Sequence, residues 1–289
     1  MKEPRNSFSL LDGHAFCGRR TWFDRTGPRK ETLPMRKGTQ VHGAFENLIK
    51  AKIAGESWDE LYNLETSKRF IPEGPHKMTK VRWWLSSARP LLEKTLPIRV
   101  ERWFDVEVNG TQICGRIDFE SARIPSEPCE GIRISGIPAN GYDCDRPCVL
   151  DFKTVSSARW CKTPDQARQS MQLALYCIVT GFDHAGFVYL LPNMDVEAVI
   201  VEVPQNAKAI AARWICMQSE AFHRTWQEAV EMVDEPENLR DIALLDMSKE
   251  QRIVKAADLW QPASFLHPWC SPKCDHWEKC YGGLKKGRM

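Results

Sequence analysis

Two opposite charges inside one short apolar run constrain this chain more than any other feature. The run is Val149-Leu150-Asp151-Phe152-Lys153-Thr154. In an extended chain side chains alternate between faces, so Asp151 and Lys153 share one face while Leu150 and Phe152 take the other. Desolvating a carboxylate and an ammonium here is costly unless each has a partner, so the fold must bring partners to this strand. Gly115-Arg116-Ile117-Asp118 supplies a second short strand ending in a carboxylate. Mg²⁺ takes oxygen ligands, commonly one or two carboxylates together with phosphates. Asp118 and Asp151 are therefore candidate ligands. Lys153 is placed to orient a water or to offset charge building up on a phosphate.

With 43% hydrophobic and 27% charged residues, the 289-residue chain can build a sizeable core. No apolar run approaches membrane-spanning length, and Met1-Lys2-Glu3-Pro4 does not open a signal peptide. The expectation is a soluble, cytoplasmic protein with no membrane partner. Eleven cysteines, odd in number and irregularly spaced, argue against a disulfide framework and for buried thiols plus a metal or cluster site. A formal charge of +2 implies no nucleic-acid partner by itself, but the charge is uneven. Cys17 to Gln40 holds seven basic residues (Arg19, Arg20, Arg25, Arg29, Lys30, Arg36, Lys37) against Asp24 and Glu31, whereas Glu228 to Glu250 holds eight acids against Arg240 and Lys249. The first stretch suits phosphate.

The spacing predicts a helix over Ser7 to Phe23, a basic loop marked by Pro28 and Pro34, and a helix from an N-cap at Thr39 to Ile53, with His42 in its first turn. A further helix covers His76 to Lys94. Ile98 to Val108 and Thr111 to Glu120, joined by Asn109-Gly110, read as a hairpin with a type I′ turn. The Pro-, Gly- and Ser-rich stretch 121–147 reads as an inserted loop. After the Asp151 strand come a helix from Thr163 to Thr180, two strands (His184 to Leu191, Val196 to Val203), a helix from Asn206 to Met232 and a short helix from Ser248 to Leu259. This order predicts an α/β fold, a mixed sheet flanked by helices.

Four motifs in this order resemble the nuclease motifs of the RecB-type branch of the PD-(D/E)XK superfamily. They are Gly38-Thr39-Gln40-Val41-His42-Gly43-Ala44-Phe45-Glu46, Gly115-Arg116-Ile117-Asp118, Asp151-Phe152-Lys153-Thr154 and Gln172-Leu173-Ala174-Leu175-Tyr176. The resemblance implies that His42, Asp118 and Asp151 are metal ligands with the Phe152 carbonyl as a fourth, and that Lys153 is the catalytic lysine. Gln172 and Tyr176 match a Q-x-x-x-Y motif, and their i, i+4 spacing puts both on one helix face. Glu101 matches an acidic position common in the family. Cys17 with Cys270, Cys274 and Cys280 resembles the one-plus-three arrangement that holds a 4Fe-4S cluster in the CRISPR-adaptation exonucleases and AddB-type nucleases. Cys270 and Cys274 are separated by three residues where two are more usual. Four thiolates also suit zinc.

The implied architecture is one restriction-endonuclease-like nuclease domain over residues 1–289. Its catalytic core spans about 36–203, and segments 7–30 and 263–282 form an iron-sulfur module joining the two ends. The implied activity is an Mg²⁺- or Mn²⁺-dependent exonuclease on single-stranded DNA or DNA ends. It would serve recombination, repair, or phage or CRISPR DNA processing, with a recombination or CRISPR-adaptation protein as a partner. The alternatives are an inactive DNA-binding or assembly protein that keeps the fold, and a zinc-containing nuclease without the cluster.

Without the family, Asp151 with Lys153 reads equally well as a plain ion pair, and Gln172 and Tyr176 as sheet cover. Cys114, Cys177 and Cys216 read as core thiols. Cys129, Cys144 and Cys148 allow a small zinc site, and Trp22, Trp160 and Trp277 lie close enough in sequence to the site or cluster to allow base stacking.

Overall fold

The structure is a computed structural model. It describes residues 1–28, 31–63, 68–125, 131–137, 145–239, 242–260 and 276. In chain order the helices are α1 (Phe8–Thr26), α2 (Leu33–Ile53), α3 (Trp58–Leu61), α4 (Met78–Lys94), α5 (Pro164–Arg168), α6 (Met171–Thr180), α7 (Gln205–Asp234), α8 (Ile242–Leu245) and α9 (Lys249–Ala256). The strands are β1 (Pro97–Val108), β2 (Thr111–Ser121), β3 (Arg133–Ser135), β4 (Cys148–Thr154), β5 (His184–Leu190) and β6 (Val196–Glu202).

The six strands form one sheet in the order β1-β2-β4-β5-β6-β3. It is mixed: β2 and β4 are antiparallel, β4 and β5 parallel, β5 and β6 antiparallel, and β6 and β3 parallel. The parallel β4–β5 pair requires a crossover, which α5 and α6 provide. Asn109 and Gly110 both have positive φ, +48° and +81°, as the type I′ turn between β1 and β2 demands.

Two compact units divide the chain. One comprises Glu31–Val106 and Gly115–Ala212. Its core packs α2 and α4 residues (Val41, Phe45, Leu48, Trp84, Leu85, Leu92) with sheet residues Phe119, Leu150, Phe152, Val188 and Ile200. The Phe152 ring lies 4.5 Å from that of Phe45, on the face opposite to Asp151, as strand alternation requires. Cys148 belongs to this core and is fully buried; burial pushes its thiol up, so it behaves as a small hydrophobe. The zinc reading also needs Cys129 and Cys144, which lie outside the described residues.

The other unit comprises Met1–Lys30, Glu107–Cys114 and Arg213–Met289. An aromatic cluster of Trp22, Phe222, Trp226 and Trp260 fills it, with the edge of His14 against Phe222 and Trp260. Trp22 is wholly buried there and donates from Nε1 to the Ile253 carbonyl at 2.9 Å, so it is no base-stacking surface. Trp160, in the first unit, is half exposed; Trp277 lies outside the described residues. Two residues of the basic run are engaged within this second unit, Arg19 with Asp258 at 3.3 Å and Arg20 with Asp24 at 3.5 Å.

Three predicted elements differ from the observed ones. The second helix begins six residues before Thr39, because Thr32 accepts from Met35 N–H and Pro34 sits at the helix start, where its missing N–H costs nothing. His42 is therefore mid-helix. The helix predicted from Thr163 to Thr180 is two, since Ser170 starts a new one by accepting from the Leu173 N–H. Stretch 121–147 is not all loop: Arg133–Ser135 adds a strand in register with Glu197, Ala198 and Val199.

Candidate metal and phosphodiester site

The six side chains singled out for the nuclease site (His42, Asp118, Asp151, Lys153, Gln172 and Tyr176), and Glu101 with them, fall in the unit built around the sheet. Helix α2 buries Val41, Ala44, Phe45, Leu48 and Ile49 against the core, and His42 sits beside that stripe. The β2–β4 ladder pairs Ser121, Glu120 and Phe119 with Cys148, Val149 and Leu150. Beyond those pairs come the two acids. There the Phe152 N–H donates to Asp118 Oδ2 at 3.0 Å, joining the strands through a side chain. The same oxygen lies 3.3 Å from His42 Nδ1.

Glu101 on β1 completes a group of three. Its Oε1 is 3.9 Å from His42 Nδ1, and one ligand atom from each of His42, Glu101 and Asp118 lies within 4.8 Å of the others. Glu101 has φ of +50°, a left-handed conformation that strains a glutamate. Residues Val100 to Arg102 are all half-buried, so the alternation of β1 is broken here. Burial and the charge of Asp118 raise the Glu101 carboxyl above its usual range, with His42 and Arg116 opposing. For His42 burial works downward, but Asp118 and then Asp151 outweigh it and its pKa is raised.

Asp151 is 1% exposed and is gripped from the neighbouring elements. Gln172 Nε2 donates to its Oδ1 at 2.9 Å and Tyr176 Oη approaches that oxygen at 3.4 Å. Gln172 also donates to Tyr176 Oη at 2.9 Å, so the i, i+4 pair acts as one clamp. Lys153 Nζ stands 2.7 Å from the other oxygen, Asp151 Oδ2, and pairs with it. Burial pushes the Asp151 carboxyl up to about 6 against the pull of Lys153, and the charge of Asp118 pushes the same way. Lys153 loses by burial but gains more from Asp151, so its pKa is raised and it stays charged at neutral pH.

Geometrically, then, the structure gathers His42, Glu101 and Asp118 as one ligand group and places Asp151 and Lys153 on the adjoining strand. Residues 6–280 match the family model of the PD-(D/E)XK nuclease superfamily.

The chain belongs to that superfamily.

Its members are nucleases that use divalent metals, and DNA is the expected substrate. Among solved structures, this PD-(D/E)XK protein resembles SSO0001, at 14% identity over 73% of this chain and 84% of that one, with a TM-score of 0.30. It also resembles a candidate exonuclease from Eubacterium rectale, at 15% identity over 76% and 80%, with a TM-score of 0.46. No curated protein matches the chain significantly. Among the described residues, no helix is long and apolar enough to cross a membrane.

The donor set suits the metals of the superfamily. One imidazole and two carboxylates favour an oxygen-loving cation such as Mn²⁺ or Mg²⁺. The crowding of Glu101 and Asp118 is the negative charge that such a cation would balance. Of the four cysteines of the cluster motif, Cys17 is described; Cys270, Cys274 and Cys280 lie outside the described residues. Cys17 interrupts α1, with φ of −156° and ψ of 95°. The lysines at the start of α4 have no place in the motifs. The run His76-Lys77-Met78-Thr79-Lys80 at a helix start was their available signal.

Proposed function

We propose that this superfamily member is an Mg²⁺- or Mn²⁺-dependent DNA exonuclease. The observation that carries the reading is the convergence of His42, Glu101 and Asp118 beside a buried Asp151–Lys153 pair. His42, Asp118 and Asp151 would hold the ion together with the Phe152 carbonyl, and Glu101 joins them by its position. The ion, when bound, supplies a Lewis acid for the scissile phosphate and a lowered pKa for water.

The chain's own residues do the remaining work. Lys153 presents a charged ammonium where negative charge grows on the phosphate oxygens and the leaving 3′ oxygen. Gln172 and Tyr176 orient the Asp151 carboxylate by the bonds described. The Phe152 N–H holds Asp118 in the same way. Single-stranded DNA or DNA ends are the proposed substrate, cleaved to leave 5′ phosphates.

The proposed subfamily is the iron-sulfur branch, with Cys17, Cys270, Cys274 and Cys280 on a 4Fe-4S cluster. His276, between two of these cysteines in sequence, donates from Nε2 to Asp24 Oδ1 at 2.8 Å and packs 5.4 Å from the Phe23 ring, both on the helix that carries Cys17. That contact supports a module joining the chain's two ends. Work in recombination or CRISPR DNA processing, in the cytoplasm with a separate protein partner, follows from the same branch.

Purified protein should degrade labelled single-stranded DNA from an end in Mn²⁺ and not in EDTA. Internal cuts only would remove the exonuclease assignment. Protein purified without oxygen should be brown; a colourless protein with one zinc would replace the cluster.

A further inference from the structure

The unit that carries the nuclease site also carries a cationic pocket of about 420 Å³ that none of the motifs includes. Lys37 from α2, and His76, Lys77, Thr79, Lys80 and Trp83 from the start of α4 and the turn before it, line it. Among the described residues, no acidic side chain lines it. Three ammonium groups around one cavity repel each other, and here they sit at the positive end of a 17-residue helix whose first turn has no acid and whose N-cap, Lys77, makes no side-chain cap bond. Lys80 Nζ lies 4.8 Å from the centre of the Trp84 ring, but among the described residues no carboxylate lines the pocket to offset the repulsion. An anion resolves it.

One more observation defines the anion. Trp83 is 59% exposed, a large apolar ring left at the rim of a charged pocket. Such a ring beside lysines is the pairing that binds a base by its face and the strand by its phosphates. The His76 ring stands edge-on to Trp84 at 5.1 Å, which fixes this wall of the pocket. The pocket is also built, for Gln40 accepts the His76 N–H at 2.8 Å and donates to the Pro72 and His76 carbonyls at 3.2 and 3.3 Å. A side chain on Gly74 would collide with Gln40 at 2.6 Å, so the turn lies tight against α2 two residues before His42.

We infer that this pocket is a nucleotide subsite for a single DNA strand, with Lys37, Lys77 and Lys80 on backbone phosphate and Trp83 stacked on an adjoining base. The inference rests on the DNA-nuclease reading and adds a place where uncut strand is held.

The test is fluorescence anisotropy of a 5′-fluorescein oligothymidylate with the full chain in EDTA across a salt series, alongside cleavage of the same strand in Mn²⁺. Replacing Lys37, Lys77 and Lys80 together by Gln should make the slope of log affinity on log salt shallower by about 2, at roughly 0.7 per phosphate contact. Trp83→Ala should weaken binding about tenfold, the scale of one lost stacking contact. Restoring the charges as Arg should restore the slope, which excludes misfolding as the cause. An unchanged affinity and slope in the triple Gln variant, with wild type binding and cleaving, overturns the subsite and leaves the nuclease reading standing. Wild type that neither binds nor cleaves overturns both.

Discussion

Oδ2 of Asp118 is shared between two elements: it accepts the Phe152 N–H at 3.0 Å and lies 3.3 Å from His42 Nδ1. One oxygen thus locks the end of the β2–β4 pairing to the helix that carries the imidazole. Asp118→Ala should lower cleavage by about 10³-fold or more, above the loss typical of one transition-state donor. It should also loosen Mn²⁺ binding measured by calorimetry. A variant with near wild-type affinity and rate would show that Asp118 serves only the strand junction.

Lys153→Met separates chemistry from fold. Loss of the ammonium should lower the rate by about 10²–10³-fold at saturating metal. The lysine side chain is 38% exposed, so its pairing with Asp151 is partly screened. Stability should therefore fall by only about 1–2 kcal/mol in urea unfolding, less than for a fully buried pair.

Gln172→Ala frees Oδ1 of Asp151 from its 2.9 Å bond, whereas Tyr176→Phe removes a weaker 3.4 Å contact. The first should cost about 10–100-fold in activity or metal affinity, the range for groups that orient ligands. The second should cost several-fold less. Equal losses would mean that the tyrosine hydroxyl has a role of its own.

The clamp also shows what a sequence does and does not disclose. The i, i+4 spacing of Gln172 and Tyr176 put them on one face, but not which carboxylate they grip, because that depends on how β4 and β5 flank the crossover. Alternation placed Asp151 and Lys153 opposite Phe152, and the structure has Phe152 in the core. Asn109-Gly110 disclosed the hairpin because its turn needs two residues that tolerate positive φ. Pro34 misled in the other direction: it reads as a breaker, yet the first helical turn accepts proline. The three-residue strand Arg133–Ser135 is too short to show a period. Glu101 was visible through the family alone, since a left-handed residue inside a strand defeats any alternation argument.

Glu101 supplies the next expectation. Glycine relieves the strain of φ +50° and removes a carboxylate crowded by Asp118. Glu101→Gly should melt at or above the wild-type temperature in EDTA while losing metal affinity and activity. A lower melting temperature would place the value of Glu101 in structure instead.

His14 makes the second unit sensitive to pH. Burial holds its pKa below the ordinary histidine value, with Gln218 opposing. A depressed folded-state pKa means that the unfolded chain takes the proton more readily, so the stability it contributes is whole above about pH 6.5 and is lost as pH falls below that value. The unfolding free energy of wild type should decline over that range more steeply than that of His14→Phe. Parallel profiles would contradict the assignment.

The most direct measurement is cleavage of an end-labelled single strand by the purified chain, in Mn²⁺ and in EDTA, for wild type, Asp118→Ala and Asp151→Ala. The expected result is metal-dependent degradation by wild type alone, with both variants folded and inactive. Cleavage that survives EDTA, or that either alanine variant performs at the wild-type rate, would contradict the claim that these groups serve one cation.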